Sequence, residues 1–448
     1  MNKLEKFLSK KISLWILFLT IIISIIFAIF FGSVVLRSKT AANIAKIPEN
    51  FVKILTQSDE FDLSIKEKRF GKDKGLIFSR KKIDLNSKFL LLARYDGDIN
   101  RSVVELIDLN KREKIHAWKP DINKINSLSK LSKQITNLSR DHNSKRYQMT
   151  HPILLENGDL VIKGDDTPLT KIDICSKIVW SLDHVFHHST EMEGKNYWVP
   201  ITFFPSTVQH NIDEHLNNTE RIFRDDGIMK VSNEGKVLFK KSVIKIFLEN
   251  NLQHLLYDGL NPSDDPIHIN DIQPVLYNGK YFLAGDLFLS LRHLSMVVLY
   301  RPSTNKIIWY KKFPWVLQHD IDILNDHQIS VYNNKRLGNG LGKNGDNNNV
   351  LIYDFKNKKI INKYEALFKN YNIRAPFEGL SEILSDGSIL IEEGVFGRLM
   401  YFDRAGDLIW KFINRSKNDK LYRLNWSRVI SIDDKTILKK FRDLDCEK

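Results

Sequence analysis

The sequence contains only two cysteines among its 448 residues, Cys175 and Cys446. They stand far apart and form no C-x-x-C spacing, so the sequence predicts neither a cysteine-based zinc site nor a framework of disulfides. A single Cys175–Cys446 bridge is the less favoured alternative to two separate thiols.

Acidic residues are fewer than basic ones: 54 Asp and Glu stand against 68 Lys and Arg, which gives a net charge of +14. Such an excess favours anionic partners. The basic residues are scattered, however, and their densest runs lack the interleaved aromatic side chains on which nucleic-acid bases stack. We therefore favour a solvated, lysine-rich surface and predict no nucleic-acid partner.

Charged residues are absent from Ile12 to Leu36. This run exceeds the roughly 20 apolar residues that cross a bilayer as a helix. It predicts a single-pass transmembrane helix over residues 12–36. A cleaved signal peptide is the alternative, but its apolar region is usually only about 7–15 residues long.

The charges on either side of this run predict its orientation. Lysines at positions 3, 6, 10 and 11 precede it, whereas only Arg37 and Lys39 follow closely. Because positive residues are retained in the cytoplasm, we expect residues 1–11 to be cytoplasmic, the helix to lie in the inner membrane and the remainder to be periplasmic. Residues 37–74 are interpreted as a juxtamembrane stalk.

From about residue 75 the helical period disappears, and short β-rich runs bounded by Asn-Gly or Asp-Gly turns replace it. One strand-turn-strand pattern recurs six times at intervals of 49 to 70 residues. Such spacing is typical of propeller blades of four strands. The sequence thus predicts an all-β, six-bladed β-propeller over residues 75–448, with residues 425–438 pairing with the first blade. The six repeats end at Trp118, Trp180, Phe239, Trp309, Ile361 and Trp410, interpreted as packing residues between blades.

Three histidines break the repeat at comparable positions, because each precedes a predicted inner strand. They are His188, His268 and His319. The start of an inner strand lines the central channel of a propeller, so we expect the three imidazoles to converge there with Arg292 nearby. Imidazole and guanidinium groups together suit a phosphate or sulfate, and an imidazole can also act as nucleophile, acid or base.

Two other interpretations of these histidines remain open. Each one alone can be a channel-lining residue held by water and backbone carbonyls. The three could also bind a metal ion with Asp271 or Asp320. The metal site is less favoured because its ligands would come from separate blades without a local spacing motif, and we predict no metal.

The elements around these histidines resemble those of the bacterial PAPS-independent arylsulfotransferase family. This family consists of six-bladed β-propellers that move sulfuryl groups between phenols through a sulfated histidine. The resemblance covers residues 150–415 approximately. It rests on the H-H pair His187-His188, the H-x-N element His268/Asn270, the S-x-R element Ser290/Arg292, the Q-H-D element Gln318-His319-Asp320, the N-N pair Asn333-Asn334 and the segment EEGVFGRLMYFDRAGDLIW.

The resemblance implies that His319 is the histidine that becomes sulfated. His268 and Arg292 would be catalytic beside it, and the substrate-binding residues would be His187, His188, Asn270 and Asn334. Because Ser189 follows the H-H pair, the sequence leaves open which of its two histidines faces the pocket. His293 is expected on the opposite face of the strand from Arg292, with little effect on activity.

The implied reaction uses small-molecule sulfate esters and phenols and needs no cofactor. A membrane-tethered propeller that binds a ligand without catalysis is the alternative function, because propellers host many unrelated activities.

Overall fold

The computed structural model describes residues 14–35, 63–79, 85–208, 223–256, 264–335 and 347–446. The chain divides into two compact units, one of residues 1–62 with 211–221 and the other of residues 63–210 with 222–448. The predicted cytoplasmic residues 1–11 and most of the predicted stalk, residues 37–62, lie outside the described residues. Residues 63–74 belong to the second unit, where Phe70 packs with Ile413 and Leu421.

Helix α1 (Leu14–Val35) is the described element of the first unit. Its 22 residues carry no charge, and at 1.5 Å per residue they extend for roughly 33 Å, about the thickness of a bilayer core. The window Trp15–Gly32 has a mean hydropathy of 2.7, and none of it is buried. The helix is thus long and apolar enough to span a membrane.

The second unit is built almost entirely of antiparallel strands. The first half comprises β1 (Gly75–Phe78), β2 (Lys88–Asp96), β3 (Arg101–Asp108), β4 (Glu113–Trp118), β5 (Ile153–Leu154), β6 (Leu160–Ile162), β7 (Thr167–Ile172), β8 (Ile178–Phe186), β9 (Glu191–Glu193), β10 (Asn196–Phe203), β11 (Asp225–Val231) and β12 (Val237–Ser242). The second half comprises β13 (Ile269–Pro274), β14 (Leu287–Leu291), β15 (Met296–Arg301), β16 (Lys306–Lys312), β17 (Ile321–Asn325), β18 (Gln328–Asn333), β19 (Asn349–Asp354), β20 (Lys359–Ile361), β21 (Gly379–Ile383), β22 (Ile389–Glu393), β23 (Arg398–Phe402), β24 (Leu408–Ile413) and β25 (Arg428–Ser431).

These strands form four sheets of four or five strands and one larger sheet. The strand orders are β25-β2-β3-β4, β13-β14-β15-β16, β17-β18-β19-β20 and β1-β24-β23-β22-β21; the larger sheet has the order β5-β6-β7-β8-β10-β11-β12, with β9 paired to β10. This arrangement is a β-propeller, which confirms the all-β prediction. The predicted return of the chain end is also confirmed, because β25 pairs with β2 from Arg428↔Leu91 to Ser431↔Lys88.

Turn residues between strands follow the predicted Asn-Gly and Asp-Gly pattern. Gly158 follows Asn157 between β5 and β6 and has a φ of 91°, a left-handed conformation that glycine adopts without strain. Its N–H donates to the carbonyl of Leu155 at 2.9 Å. A side chain here would also press on Ile174, since a Cβ would lie 2.9 Å from it.

The six repeat-ending residues all lie in the last strand of their repeats, from β4 to β24. Indole N–H groups of two of them reach the following repeat: Trp118 donates to the Gly158 carbonyl at 3.2 Å and Trp180 to the Asn233 carbonyl at 2.9 Å. These contacts agree with packing between repeats. Ile361 differs, because it ends the three-residue strand β20 and is 39% exposed.

Short helices fill the spaces beside the sheets. They are α2 (Ile122–Leu128), α3 (Ser132–Ile135), α4 (Leu138–Asp141), α5 (Val243–Glu249), α6 (Glu365–Asn370) and α7 (Lys435–Asp443), with 3₁₀ turns at Gln253–Leu256 and Gly394–Phe396.

The two cysteines form a disulfide, so the less favoured sequence alternative is the correct one. Helix α7 positions Cys446 for this pairing. Its Phe441 packs edge-on against Trp118, with ring centroids 5.7 Å apart. The helix thereby carries Cys446 to Cys175, in the turn after β7, with a Cα–Cα distance of 5.2 Å. Sequence spacing could not reveal this pairing, because the two residues are 271 positions apart.

Candidate functional site

Residues with left-handed backbone conformations stand just ahead of inner strands. His188 has a φ of 52°, His268 of 49°, Glu378 of 56° and Trp426 of 72°. Such conformations cost non-glycine residues on the order of 1–3 kcal/mol, and they cluster at binding sites. Three of these residues, His188, Glu378 and Trp426, line one cavity.

This cavity has a volume of about 500 Å³, including space open to solvent. Its walls bring together His188 and His319, two of the three predicted histidines, with Asp165, Glu378 and Trp426.

His319 is buried, and both of its ring nitrogens have partners. Its Nδ1 lies 2.6 Å from Oδ1 of Asn334, and the backbone N–H of Glu378 donates to its Nε2 at 3.2 Å. Nδ2 of Asn334 donates to the Ala375 carbonyl at 2.8 Å, which fixes the orientation of the amide. Since Oδ1 can only accept, the proton of His319 resides on Nδ1, and Nε2 carries the lone pair.

The charge state of His319 follows from its surroundings. Burial, followed by the positive charge of Arg292, lowers the pKa of His319 to about 3. The ring is therefore neutral at physiological pH, as a nitrogen nucleophile must be.

His268 and His188 lie side by side, with ring centroids 5.0 Å apart. Nδ1 of His268 donates to Oδ2 of Asp265 at 2.5 Å. Burial, with the neighbouring positive groups, lowers the pKa of His188 well below its usual value. The structure thus brings the first two predicted histidines together.

His187 does not line this cavity, which answers the question that the H-H pair leaves open. It is buried behind His188, with its Nδ1 2.8 Å from Nδ1 of that ring and its Nε2 3.5 Å from Oδ1 of Asp226. Of the two histidines, it is therefore His188 that faces the cavity.

Asn270 and Arg292 stand next to these histidines. Nδ2 of Asn270 donates to the carbonyl of Gln318, the residue before His319, at 2.9 Å. The backbone N–H of Arg292 donates to the carbonyl of His268 at 3.0 Å. The charge of Arg292 reaches His319, as its effect on that pKa indicates.

The expected placement of His293 on the opposite face of a strand from Arg292 is wrong, whereas its small effect on activity stays a prediction. Strand β14 ends at Leu291, and the chain turns there, with the N–H of Ser295 donating to the Arg292 carbonyl at 3.0 Å. Strand alternation therefore does not apply, and His293 stacks on His268 with ring centroids 4.3 Å apart.

Sequence reasoning missed several residues of the site, chiefly Glu378, Asp165 and Asp265. Glu378 supplies the N–H bound to His319, and Oδ1 of Asp165 accepts the N–H of His188 at 3.3 Å. The only sequence signal was the position of Glu378 directly ahead of β21, the place that the histidines occupy in their own repeats.

Inner strands also carry a group of buried and half-buried ionisable side chains. Glu191 in β9, Asp271 in β13, Asp322 in β17 and Glu382 in β21 have pKa values raised by burial. Arg428 in β25 donates to Oε1 of Glu191 at 2.6 Å. Acidic groups thus outnumber basic ones among these described inner-strand side chains.

We expect Asp271→Asn to stabilise the protein above pH 7. Burial, with the charge of Glu191 adding to it, raises the pKa of Asp271 to about 7. The usual pKa of an aspartate is about 4. Between about pH 4 and pH 7 the folded state therefore binds more protons than the unfolded state, and the free energy of unfolding falls as the pH rises. Asparagine keeps an oxygen for the Ile321 N–H, now 3.0 Å from Oδ2. The free energy of unfolding at pH 8 should rise by at least about 1 kcal/mol.

Urea denaturation at pH 5 and pH 8 measures this effect. The exposed Asp443 provides a matched control, and Asp443→Asn should leave the pH dependence unchanged. An Asp271→Asn protein with the wild-type pH slope would contradict the prediction.

Comparison with known proteins identifies the family. The sequence profile of the arylsulfotransferase (ASST) family matches residues 151–415, more than half of the chain. The match includes every predicted site residue, from His187 to Asn334. No curated protein matches the chain.

Several solved structures share a similar arrangement at low sequence identity. A protein of unknown function from Bacteroides caccae is 11% identical, with a TM-score of 0.45 over 77% of this chain and 98% of its own. Virginiamycin B lyase from Staphylococcus aureus is 10% identical, with a TM-score of 0.34 over 65% of this chain and 86% of its own. The WD40 β-propeller domain of Doa1 is 9% identical, with a TM-score of 0.39 over 81% and 99%.

The family assignment therefore rests on the profile match, which includes His188, His268 and His319. The chain belongs to the arylsulfotransferase (ASST) family.

Proposed function

We propose that this protein transfers a sulfuryl group from an aryl sulfate ester to a phenol, with His319 as the covalent carrier and without a cofactor. The observation that carries the proposal is the state of His319: it is neutral, with the lone pair on Nε2, and it lines a cavity. Membership of the arylsulfotransferase family supports the same chemistry.

In the first step, Nε2 of His319 attacks the sulfur of the donor. The N–S bond forms as the S–O bond to the aryl group breaks, and the aryl oxide leaves with the bonding electron pair. The Glu378 N–H, 3.2 Å from Nε2 in the free protein, would release this nitrogen and could donate to a sulfuryl oxygen instead. Arg292, His268 and Asn270 are proposed to stabilise the sulfuryl oxygens, as prearranged donors do in a transition state.

In the second step, the oxygen of an acceptor phenol attacks the same sulfur. The new S–O bond forms as the N–S bond breaks, and His319 regains its lone pair. We propose that His188, which lines the same cavity, takes the phenol proton. Asn334 holds the Nδ1 proton of His319 throughout, so that Nε2 remains the reacting atom.

The proposed architecture is a six-bladed propeller over residues 75–448, behind a transmembrane helix over residues 12–36. The eight-stranded sheet would count as two blades, β5–β8 and β9–β12. In support, β8 and β10 are joined by only two residue pairs, Ile201↔Phe186 and Thr202↔Val185.

We propose that the propeller is periplasmic and that α1 anchors it in the inner membrane. The lysines before α1 favour the cytoplasm for residues 1–11. The Cys175–Cys446 disulfide supports an oxidising compartment for the propeller.

A protease experiment tests this topology. Protease added to spheroplasts should degrade the propeller, and a reporter fused after Lys448 should behave as an exported domain. Protection of the propeller in intact spheroplasts, with digestion only after lysis, would reverse the proposed orientation.

Incubation with a chromogenic aryl sulfate and a phenol tests the function. We expect release of the coloured phenol, formation of the acceptor sulfate ester and, without acceptor, a histidine-containing peptide heavier by one SO₃ group. Saturable binding of these compounds without turnover would instead support the ligand-binding alternative.

A further inference from the structure

Asp265, His268 and His293 form a compact cluster of potential metal ligands beside the cavity. Each residue offers one ligand atom, and these three atoms all lie within 4.8 Å of one another. Among the described residues, this is the group of His, Cys, Asp or Glu side chains close enough to share one ion. Oδ2 of Asp265 lies 2.5 Å from Nδ1 of His268 and 3.7 Å from Nδ1 of His293. Nδ1 of His293 also donates to the backbone carbonyl of Asp265 at 2.6 Å, so both Nδ1 atoms lie against Asp265.

Backbone hydrogen bonds hold the two segments of this cluster together. Asp265 and His268 lie in the segment before β13, and His293 lies in the turn after β14. The N–H of His293 donates to the Ile267 carbonyl at 3.2 Å, and the N–H of Arg292 donates to the His268 carbonyl at 3.0 Å. The three side chains are therefore brought together by the sheet and not only by their own contacts.

Two imidazole nitrogens and one carboxylate oxygen are the ligand types that Zn²⁺ prefers. Bonds of about 2.0–2.1 Å in a tetrahedral arrangement separate ligand atoms by roughly 3.3 Å. The separations of 2.5 and 3.7 Å from Asp265 Oδ2 lie on either side of this value, so small side-chain rotations would suffice. The side chains of His268, Asp265 and His293 are 26%, 17% and 31% exposed, which gives an ion access from solvent.

We propose that Asp265, His268 and His293 bind a divalent transition-metal ion, with Zn²⁺ as the preferred ion and a fourth position open to water. Each imidazole would bind through Nδ1, and its proton would then reside on Nε2. The ion would take the place of two Nδ1 protons, one donated by His268 to Asp265 Oδ2 and the other by His293 to the Asp265 carbonyl. The proposal depends on this cluster alone and does not rest on the proposed sulfuryl transfer.

For His268 the ion would have a further consequence. Nδ1 would be occupied, and Nε2–H, on the other side of the ring, would become an obligatory donor. Zn²⁺ would thus determine the tautomer of a histidine whose ring lies beside that of the cavity-lining His188, as metal ions do for their imidazole ligands.

Direct binding of Zn²⁺ to the full-length chain tests the proposal independently of turnover. The protein in detergent is treated with EDTA, dialysed and titrated with ZnCl₂ by isothermal titration calorimetry. Wild-type protein should show a stoichiometric site that His293→Gln and Asp265→Asn each weaken by at least about 10-fold.

His327 provides a matched control, because its Nδ1 donates to Oδ1 of Asp326 at 2.5 Å outside the three-residue cluster. His327→Gln should bind Zn²⁺ as the wild type does. Circular dichroism identifies which of the two ligand variants remains folded, and a folded ligand variant with wild-type affinity would overturn the proposal. A wild-type protein without stoichiometric Zn²⁺ binding would overturn it too, whatever its sulfotransfer activity.

Discussion

His319→Ala is expected to abolish both turnover and covalent sulfation, with a loss of at least about 10⁴-fold in kcat, as found when an enzyme loses its nucleophile. The reason is structural: the ring of His319 is buried and neutral, and its Nε2 carries the reactive lone pair. Asn334 holds the ring in this tautomer. His188 lines the same cavity, but its proposed role is to take the phenol proton, so we do not expect it to replace the missing carrier. Steady-state release of the chromogenic phenol and peptide mass analysis measure the two effects.

His327→Ala is the matched control, because His327 is another histidine paired with an aspartate but lies outside the cavity. It should retain wild-type turnover. Sulfation that persists in His319→Ala, or a mass shift located on a peptide containing His188 or His268, would assign the carrier role to another histidine.

Asn334→Leu is expected to lower kcat by about 10²-fold or more while the fold is maintained. Leucine has similar volume but cannot accept the Nδ1–H of His319, which now lies 2.6 Å from Asn334 Oδ1. The proton could then reside on Nε2, where it would remove the nucleophilic lone pair. A wrong histidine tautomer has costs on this scale or larger in other enzymes that depend on imidazole.

Asn334→Asp separates this explanation from a general loss of structure. A carboxylate in contact with Nδ1 favours the charged imidazolium, so the pKa of His319 should rise from about 3. The acid limb of the pH profile of kcat/KM should move upward by about 1–3 pH units, with activity partly recovered at high pH. Asn362→Asp, at an exposed position, is the control for the added charge and should leave the profile unchanged. An acid limb that does not move in Asn334→Asp would contradict the proposed tautomer control.

Much of the site could be predicted because the propeller repeats its own pattern. Three histidines, His188, His268 and His319, stood out as polar residues at a comparable place in successive repeats. In the structure the rings of His188 and His268 are adjacent. His188 and His319 line one cavity. Periodicity is visible in sequence, so departures from it are visible as well. Periodicity does not show which side chains contact each other, and for this reason the sequence did not predict Asp265 and Glu378 as residues of the site.

His293 shows where periodicity fails. The alternation of side chains along a strand predicted that it would face away from Arg292, but the strand ends before either residue. The turn that follows stacks His293 on His268. Turn geometry depends on backbone hydrogen bonds to another segment, here between His293 and Ile267, and a single sequence does not encode such a pair in its spacing.

The sequence by itself determined the apolar N-terminal helix, the all-β propeller and the pairing of the chain end with the first sheet, because length, hydropathy and strand period are local properties of the chain. Tertiary structure alone decided the Cys175–Cys446 bridge, the burial of His187 behind His188 and the tautomer of His319. Each of these depends on atoms from segments that are distant in sequence or on the direction of one ring among its neighbours. Packing fixes those directions, since a buried nitrogen must find its donor or acceptor among the groups that the fold places beside it.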